Sequence, residues 1–169
     1  MARQYFGTDG IRGRVNTPPM TAESALRLAI AAARTFAPNG GREVVIGRDT
    51  RRSGQMIESA LIAGLTSMGL KPVLMGVVPT PTVALMTRET GAALGLMVSA
   101  SHNKSDDNGI KLFSPAGIKL TDAEEEALEA AMASAFEGDF APPPAISTPH
   151  HMKCRSRIHS HRPAEIHRH

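Results

Sequence analysis

The residues best suited to chemistry stand together between Ser99 and Lys111. Two hydroxyls (Ser99, Ser101), an imidazole (His102), two amides (Asn103, Asn108) and two carboxylates (Asp106, Asp107) follow the apolar run Ala92 to Val98. A second apolar run, Ile110 to Phe113, leaves them. Polar groups at the end of a buried strand are costly unless they serve a site, and open α/β sheets bind ligands beyond the carboxyl ends of their strands. The chemistry open to this set is nucleophilic: a serine hydroxyl that attacks, or that carries a transferred group. A hydrolase built on Ser101 and His102 is the weaker reading. Adjacent residues of an extended chain point apart, and no G-x-S-x-G elbow surrounds Ser101. Asn108-Gly109 reads as a β-turn, across which Lys111 returns toward Ser101.

Two further polar stretches sit upstream. Phe6-Gly7-Thr8-Asp9-Gly10-Ile11-Arg12-Gly13 is dense in glycine. It reads as a hairpin turn, or as backbone amides and the Arg12 guanidinium facing a phosphate. Arg48-Asp49-Thr50-Arg51-Arg52-Ser53-Gly54 reads as an Asp/Arg salt-bridge cluster that fixes a strand-to-helix loop, in preference to a catalytic group.

Together these motifs resemble those of the α-D-phosphohexomutases: the opening Phe6 to Gly13, the Gly47-Arg48-Asp49-Thr50-Arg51 stretch with Ser53-Gly54, and the loop Ser99-Ala100-Ser101-His102-Asn103 followed by Asp107 to Lys111. The resemblance covers about residues 2 to 145. It implies that Ser101 holds a phosphoryl group, gives it to a phosphosugar and takes one back from a bisphosphate intermediate. Arg12, Asn103 and Lys111 are then expected to bind phosphate or substrate, and His102 to assist as donor or acid/base. The opening octet and the serine-first loop point to the branch acting on an amino-sugar phosphate, in cell-wall precursor synthesis. Branches acting on mannose or glucose phosphates are the nearest alternatives.

The family's Mg²⁺ bridges the phosphoserine and an Asp-Gly-Asp-x-Asp loop, a set of hard ligands that suits it. These 169 residues contain no such loop. Only Ser101, through its phosphate, is therefore an expected metal contact here. Lys104-Ser105-Asp106 also departs from the family, which usually carries a proline and less polar residues there. The expectation is an isomerase's first domain that does not turn over by itself. The competing class is a non-catalytic phosphate-binding or interaction domain.

These motifs need a scaffold. Thr21 caps a helix that reaches Phe36, and Glu43 to Gly47 is a buried strand. Met56 to Leu70 reads as a helix and Pro72 to Val78 as a strand. Thr80 and Pro81 suit the cap and first position of a third helix that stops near Gly91. Strands follow at 93–98 and 110–113, the second antiparallel to its neighbour. Thr121 to Glu124 is a capping box for a helix that runs to Phe136. Alternation of strands and helices implies an α/β fold, three-layer α/β/α, with a mixed, mainly parallel sheet.

Composition bounds the rest. At 169 residues, 41% hydrophobic and 4% aromatic, the chain fits one domain with an aliphatic core. Residues 150–169 hold five basic residues and one acidic, whereas residues 1–149 hold 14 basic and 15 acidic. The high pI thus belongs to the tail, and no basic face suggests nucleic acid. No 18-residue apolar run suggests a membrane. One cysteine, Cys154, and the lack of a signal-like start fit a cytoplasmic protein. Oligomeric state is open. Residues 1–141 are expected to form the domain, and residues 142–169 a proline-rich linker followed by a disordered or out-of-frame tail. That tail holds six of the seven histidines without regular spacing.

Overall fold

The computed structural model describes residues 5–152. Its strands are β1 (Phe6–Gly7), β2 (Gly10–Arg14), β3 (Glu43–Arg48), β4 (Lys71–Val77), β5 (Leu94–Val98), β6 (Asp107–Phe113) and β7 (His150–His151). Its helices are α1 (Ala22–Phe36), α2 (Gly54–Ser67), α3 (Thr80–Thr90) and α4 (Asp122–Ala133). The strands make one mixed sheet in the order β1-β2-β6-β5-β3-β4-β7. From β5 across β3 and β4 to β7 the pairings are parallel; β1, β2, β6 and β5 pair antiparallel.

Period-two alternation builds a core on each face. Val44, Ile46, Leu94, Leu96, Val98, Ile110 and Leu112 enter the larger cluster, with Leu28 of α1, Leu61 and Leu65 of α2, and Leu128 and Met132 of α4. Val45 and Met97 point the other way, toward Val83 of α3. Helix α3 comes close to the sheet because Gly47 and Gly95 lie beneath it. A Cβ on Gly47 would stand 2.5 Å from the Val83 side chain, and one on Gly95 would collide with Thr87.

Several helix ends follow their chemistry. The Thr21 hydroxyl accepts from Ser24 N, and Thr121 and Glu124 form both bonds of the capping box. At α3 the register differs by one from expectation. Thr80 is the first helical residue, Pro79 stands at the cap position, and Gly91 closes the helix at φ 67°. Helix α2 ends at Ser67 rather than Leu70, because the chain turns through Gly69 at φ 75°. Helix α4 stops at Ala133, short of Phe136, where Arg34 takes the carbonyls of Ser134 and Ala135.

Two expectations need correction. Asn108-Gly109 is not a turn: both residues lie inside β6, opposite Gly13 and Arg12 of β2. The Asn108 side chain is wholly buried, accepts from Gly109 N and donates to Ser53 Oγ at 2.8 Å. Its polar groups are thus satisfied within the sheet. Gly109 is required there because a Cβ would meet the carbonyl oxygens of Ile11 and Ser99, each 2.8 Å away. The chain reverses earlier, in the loop between β5 and β6.

The second correction concerns residues 142–152, expected as linker and disordered tail. Pro143–Ala145 form one 3₁₀ turn, and the Ser147 hydroxyl donates to the Leu70 carbonyl. His150 and His151 pair with Val73 and Leu74 of β4, and Met152 joins the α3-side cluster. An open strand edge presents unpaired main-chain groups, and satisfying them needs no side-chain periodicity. The disorder expected of residues 153–169 lies outside the described residues.

Candidate active site

The apolar run of β5 ends at Val98, and residues 99–106 loop back to β6. Ser99 is buried, and its Oγ accepts from Ser101 N at 3.0 Å, a short side-chain turn. Ser101 follows at φ 56°, in the left-handed region that a non-glycine residue occupies at a cost of about 1–3 kcal/mol. It is exposed and lines an open cleft of about 1030 Å³ with Arg51, Ser53, Thr80, Ser99 and Asn103.

Arg51 holds the loop. It leaves the end of β3, the strand beside β5 in the sheet. Asp49 accepts from its backbone N and from its Nε, at 3.0 and 3.2 Å. Nη1 donates to the carbonyls of Lys104 and Asp107, and Nη2 to those of Ser101 and Asn103. The expectation that Asp and Arg residues fix this loop agrees with the geometry, but the loop they fix is chiefly the serine loop. Arg48 pairs separately with Glu58 at 3.1 Å.

Arg12 approaches from the β1–β2 hairpin. Phe6 to Gly13 is a hairpin, as one reading of the opening motif expected, and it carries the Arg12 guanidinium to Asn103 of the serine loop. Arg12 Nη2 donates to Asp9 at 2.9 Å, and Nη1 reaches Asn103 Oδ1 at 3.5 Å. Its buried Nε has no acceptor. Asn103 also donates to Asp107 at 3.1 Å, and Val15 N donates to the Asp106 carbonyl. The hairpin turn is itself anchored: Lys119 Nζ donates to the Thr8 carbonyl and pairs with the buried Glu125 at 3.2 Å.

The structure therefore links Arg12 to Asn103 of the serine loop, while Arg12 itself lines a separate groove with Tyr5, Phe6, Asp9 and Pro19 rather than the Ser101 cleft. Lys111 is placed differently. Its register sets it opposite Met97, and it lines a neighbouring groove with Asp9, Gly10, Thr80 and Lys119. Thr80 borders both spaces. The turn that was to fold Lys111 back onto Ser101 does not exist. His102 is exposed, with no side-chain hydrogen bond to another described residue, so it forms no dyad with Ser101. Among the described residues no group of three or more His, Cys, Asp or Glu is placed to hold a metal ion. The roles of Lys119 and Ser53 escaped the sequence reading, because their contacts cross more than 50 residues. No local signal announces such contacts.

Residues 3–139 match the family model described as phosphoglucomutase/phosphomannomutase, alpha/beta/alpha domain I. The chain is 76% identical over 152 residues to a phosphoglucosamine mutase of Hyphomonas neptunium, covering 90% of this chain and 34% of that protein. It is 57% identical over 143 residues to that of Caulobacter vibrioides, covering 83% and 32%. A Thermus thermophilus protein proposed to be a phosphomannomutase superposes with a TM-score of 0.74 at 35% identity, over 89% of this chain and 33% of that one. A phosphoglucomutase/phosphomannomutase family protein of Burkholderia thailandensis superposes at 0.70 and 25% identity, over 90% and 33%. The chain spans about a third of the length of the curated relatives it matches.

Proposed function

The chain belongs to the phosphoglucomutase/phosphomannomutase family, matching its domain I, and from that premise we propose that residues 1–141 are the phosphoserine domain of a phosphoglucosamine mutase. Ser101 carries the phosphoryl group that interconverts glucosamine 6-phosphate and glucosamine 1-phosphate. The observation that carries this reading is Ser101 itself, exposed at the carboxyl end of β5, held at φ 56° and facing a wide cleft. The relatives named phosphoglucosamine mutase favour the amino sugar over glucose or mannose phosphates.

In the forward step Ser101 Oγ releases its phosphoryl group to a sugar hydroxyl. The Oγ–P bond breaks, the sugar O–P bond forms, and the hydroxyl proton leaves to a base. Reversal at the sugar's other phosphate reloads the serine. Arg12, whose Nη1 and Nη2 each make one hydrogen bond of the two they can donate, supplies charge-assisted donors to phosphate oxygens. Asn103 orients Arg12 and adds an amide. Lys111 serves from the adjoining groove, through the substrate's far phosphate rather than beside Ser101. His102, exposed next to Ser101 in the chain, is free to exchange a proton with the sugar.

Mg²⁺, which the family resemblance implies, would offset phosphate charge. The described residues do not by themselves fit it, since only the Ser101 phosphate offers it a ligand. No helix among the described residues is long and apolar enough to cross a membrane, and a phosphosugar is a water-soluble partner; a cytoplasmic setting accords with both.

The test is to incubate the purified chain with glucosamine 1,6-bisphosphate and map the phosphate by peptide mass spectrometry. Label on Ser101 is expected. Label on Ser99 or Ser105, with Ser101 unmodified, overturns the assignment. A second assay supplies glucosamine 6-phosphate, Mg²⁺ and bisphosphate activator. Turnover by these 169 residues alone should fall far below ~1 s⁻¹, the lower end of the ordinary enzyme range, because they match domain I and only about a third of the length of the curated relatives.

A further inference from the structure

Building on the phosphoserine reading, we infer that Arg51 is a positioning residue that sets the Ser101 loop and never touches the phosphoryl group. A guanidinium has five N–H donors. In Arg51 all five are occupied: Nε by Asp49, Nη1 by the carbonyls of Lys104 and Asp107, Nη2 by those of Ser101 and Asn103. The side chain is only 11% exposed. A phosphate could reach this cation only by displacing bonds that hold the loop.

The same bonds explain the loop's shape. Four main-chain carbonyls from seven consecutive residues converge on one cation. Their oxygens are thereby turned toward Arg51, where they do not oppose an incoming phosphoryl group with partial negative charge. The Ser101 carbonyl is one of the four, and the Ser101 amide is held by Ser99 Oγ. Both peptide groups around Ser101 are therefore fixed, and the left-handed conformation is held from either side. Lysine cannot replace this fork, because an ammonium offers three donors from a point and lacks the planar geometry.

Arg51 also protects the loop's own peptide bonds. The Lys104–Ser105 bond lies in the exposed part of the loop, and its carbonyl is one of the Arg51 acceptors. Trypsin cleaves after lysine and needs an extended, mobile segment. Cleavage at Lys104 thus reports the clasp without reference to phosphoryl transfer.

The experiment compares the 169-residue chain with Arg51→Lys and Arg51→Gln, and with Asp49→Asn as a milder variant that keeps the guanidinium. Two quantities are read: the rate of tryptic cleavage at Lys104, and the rate and position of phosphoryl transfer from glucosamine 1,6-bisphosphate. In the transfer the Ser101 Oγ–P bond forms, the sugar's O–P bond breaks, and the sugar oxygen takes a proton. Both Arg51 variants should be cut at Lys104 at least tenfold faster. Their Ser101 label should form at least tenfold more slowly and spread onto Ser99 and Ser105. Such redistribution is not produced by a lower melting temperature alone. Asp49→Asn should fall between the variants and the wild type, and decides the matter if the Arg51 variants do not fold. Wild-type protection and labelling in Arg51→Lys would overturn the inference, since charge alone would then suffice. If the wild-type chain takes no label, the phosphoserine reading fails. The clasp is then judged by cleavage alone: faster cutting supports it, and unchanged cutting overturns it.

Discussion

Two arginines flank the serine loop, and they are bonded in opposite ways. Arg51 comes from the parallel half of the sheet and has an acceptor for every N–H. Arg12 comes from the antiparallel half; its bond to Asn103 is long, 3.5 Å, and its buried Nε lacks an acceptor. Both bear the same charge against the same loop, so charge alone does not separate their roles. Donor occupancy does. A saturated guanidinium is scaffold, whereas an unsaturated one retains capacity for a ligand. The difference follows from what surrounds each. Arg51 is wrapped by a loop rich in free carbonyls. Arg12 sits on a strand whose carbonyls are committed to β6.

The largest expected effect tests the hydroxyl both arginines serve. Ser101→Ala should lower phosphoryl loading by about three orders of magnitude or more, as loss of a nucleophile does. Ser99 or Ser105 accepting the phosphate at comparable rate would show that loop position, not Ser101, matters.

Arg12→Gln sharpens the comparison directly. It should weaken phosphosugar binding about tenfold to a hundredfold, the worth of ~1.5–3 kcal/mol for charge-assisted hydrogen bonds. Tryptic cleavage at Lys104 should stay near the wild-type rate. Calorimetric titration with glucosamine 6-phosphate reads the first and timed digestion the second. If Arg12→Gln exposes Lys104 as strongly as Arg51→Gln does, the division between scaffold and ligand contact collapses.

The hairpin that carries Arg12 has its own anchor. Lys119→Met removes a donor from the Thr8 carbonyl and the cationic partner of the buried Glu125. A cost of about 1–3 kcal/mol is expected. Thermal melting should show a drop of roughly 2–4 °C per kcal/mol for a chain of this size. An unchanged melting temperature would mean that the hairpin is held without Lys119.

The smallest effect concerns the edge of the sheet farthest from Arg12. Deleting residues 150–169 removes the two-residue pairing on β4 and the packing of Met152. A loss of about 1–2 kcal/mol is expected from those bonds and that apolar area. A stable deletion with unaltered melting would mean that this edge strand contributes nothing.

Much of the fold was legible in local pattern. Thr21 and Thr121 announced helix starts through hydroxyls that can satisfy only nearby amides, and Gly91 marked a stop because its φ of 67° suits glycine. The run ending at Val98 announced a buried strand delivering polar residues. Asn108-Gly109 misled for a physical reason. The pair favours a turn in isolation, but Asn108 finds better partners in Ser53 and its own strand. The edge strand β7, two exposed histidines, was missed because main-chain pairing leaves little trace in side-chain pattern.

By itself the sequence determined the alternation of strands and helices, the caps, and the serine loop's place at a strand end, since each depends on neighbours within a few residues. Only the tertiary structure decided which cations meet that loop and in what state. Sheet order places β3 beside β5, and so brings Arg51 under the serine loop. The β2–β6 register brings Arg12 to Asn103 while aiming Lys111 into another groove. Strand order and register are settled by burial across the whole sheet. No short stretch of chain carries that information.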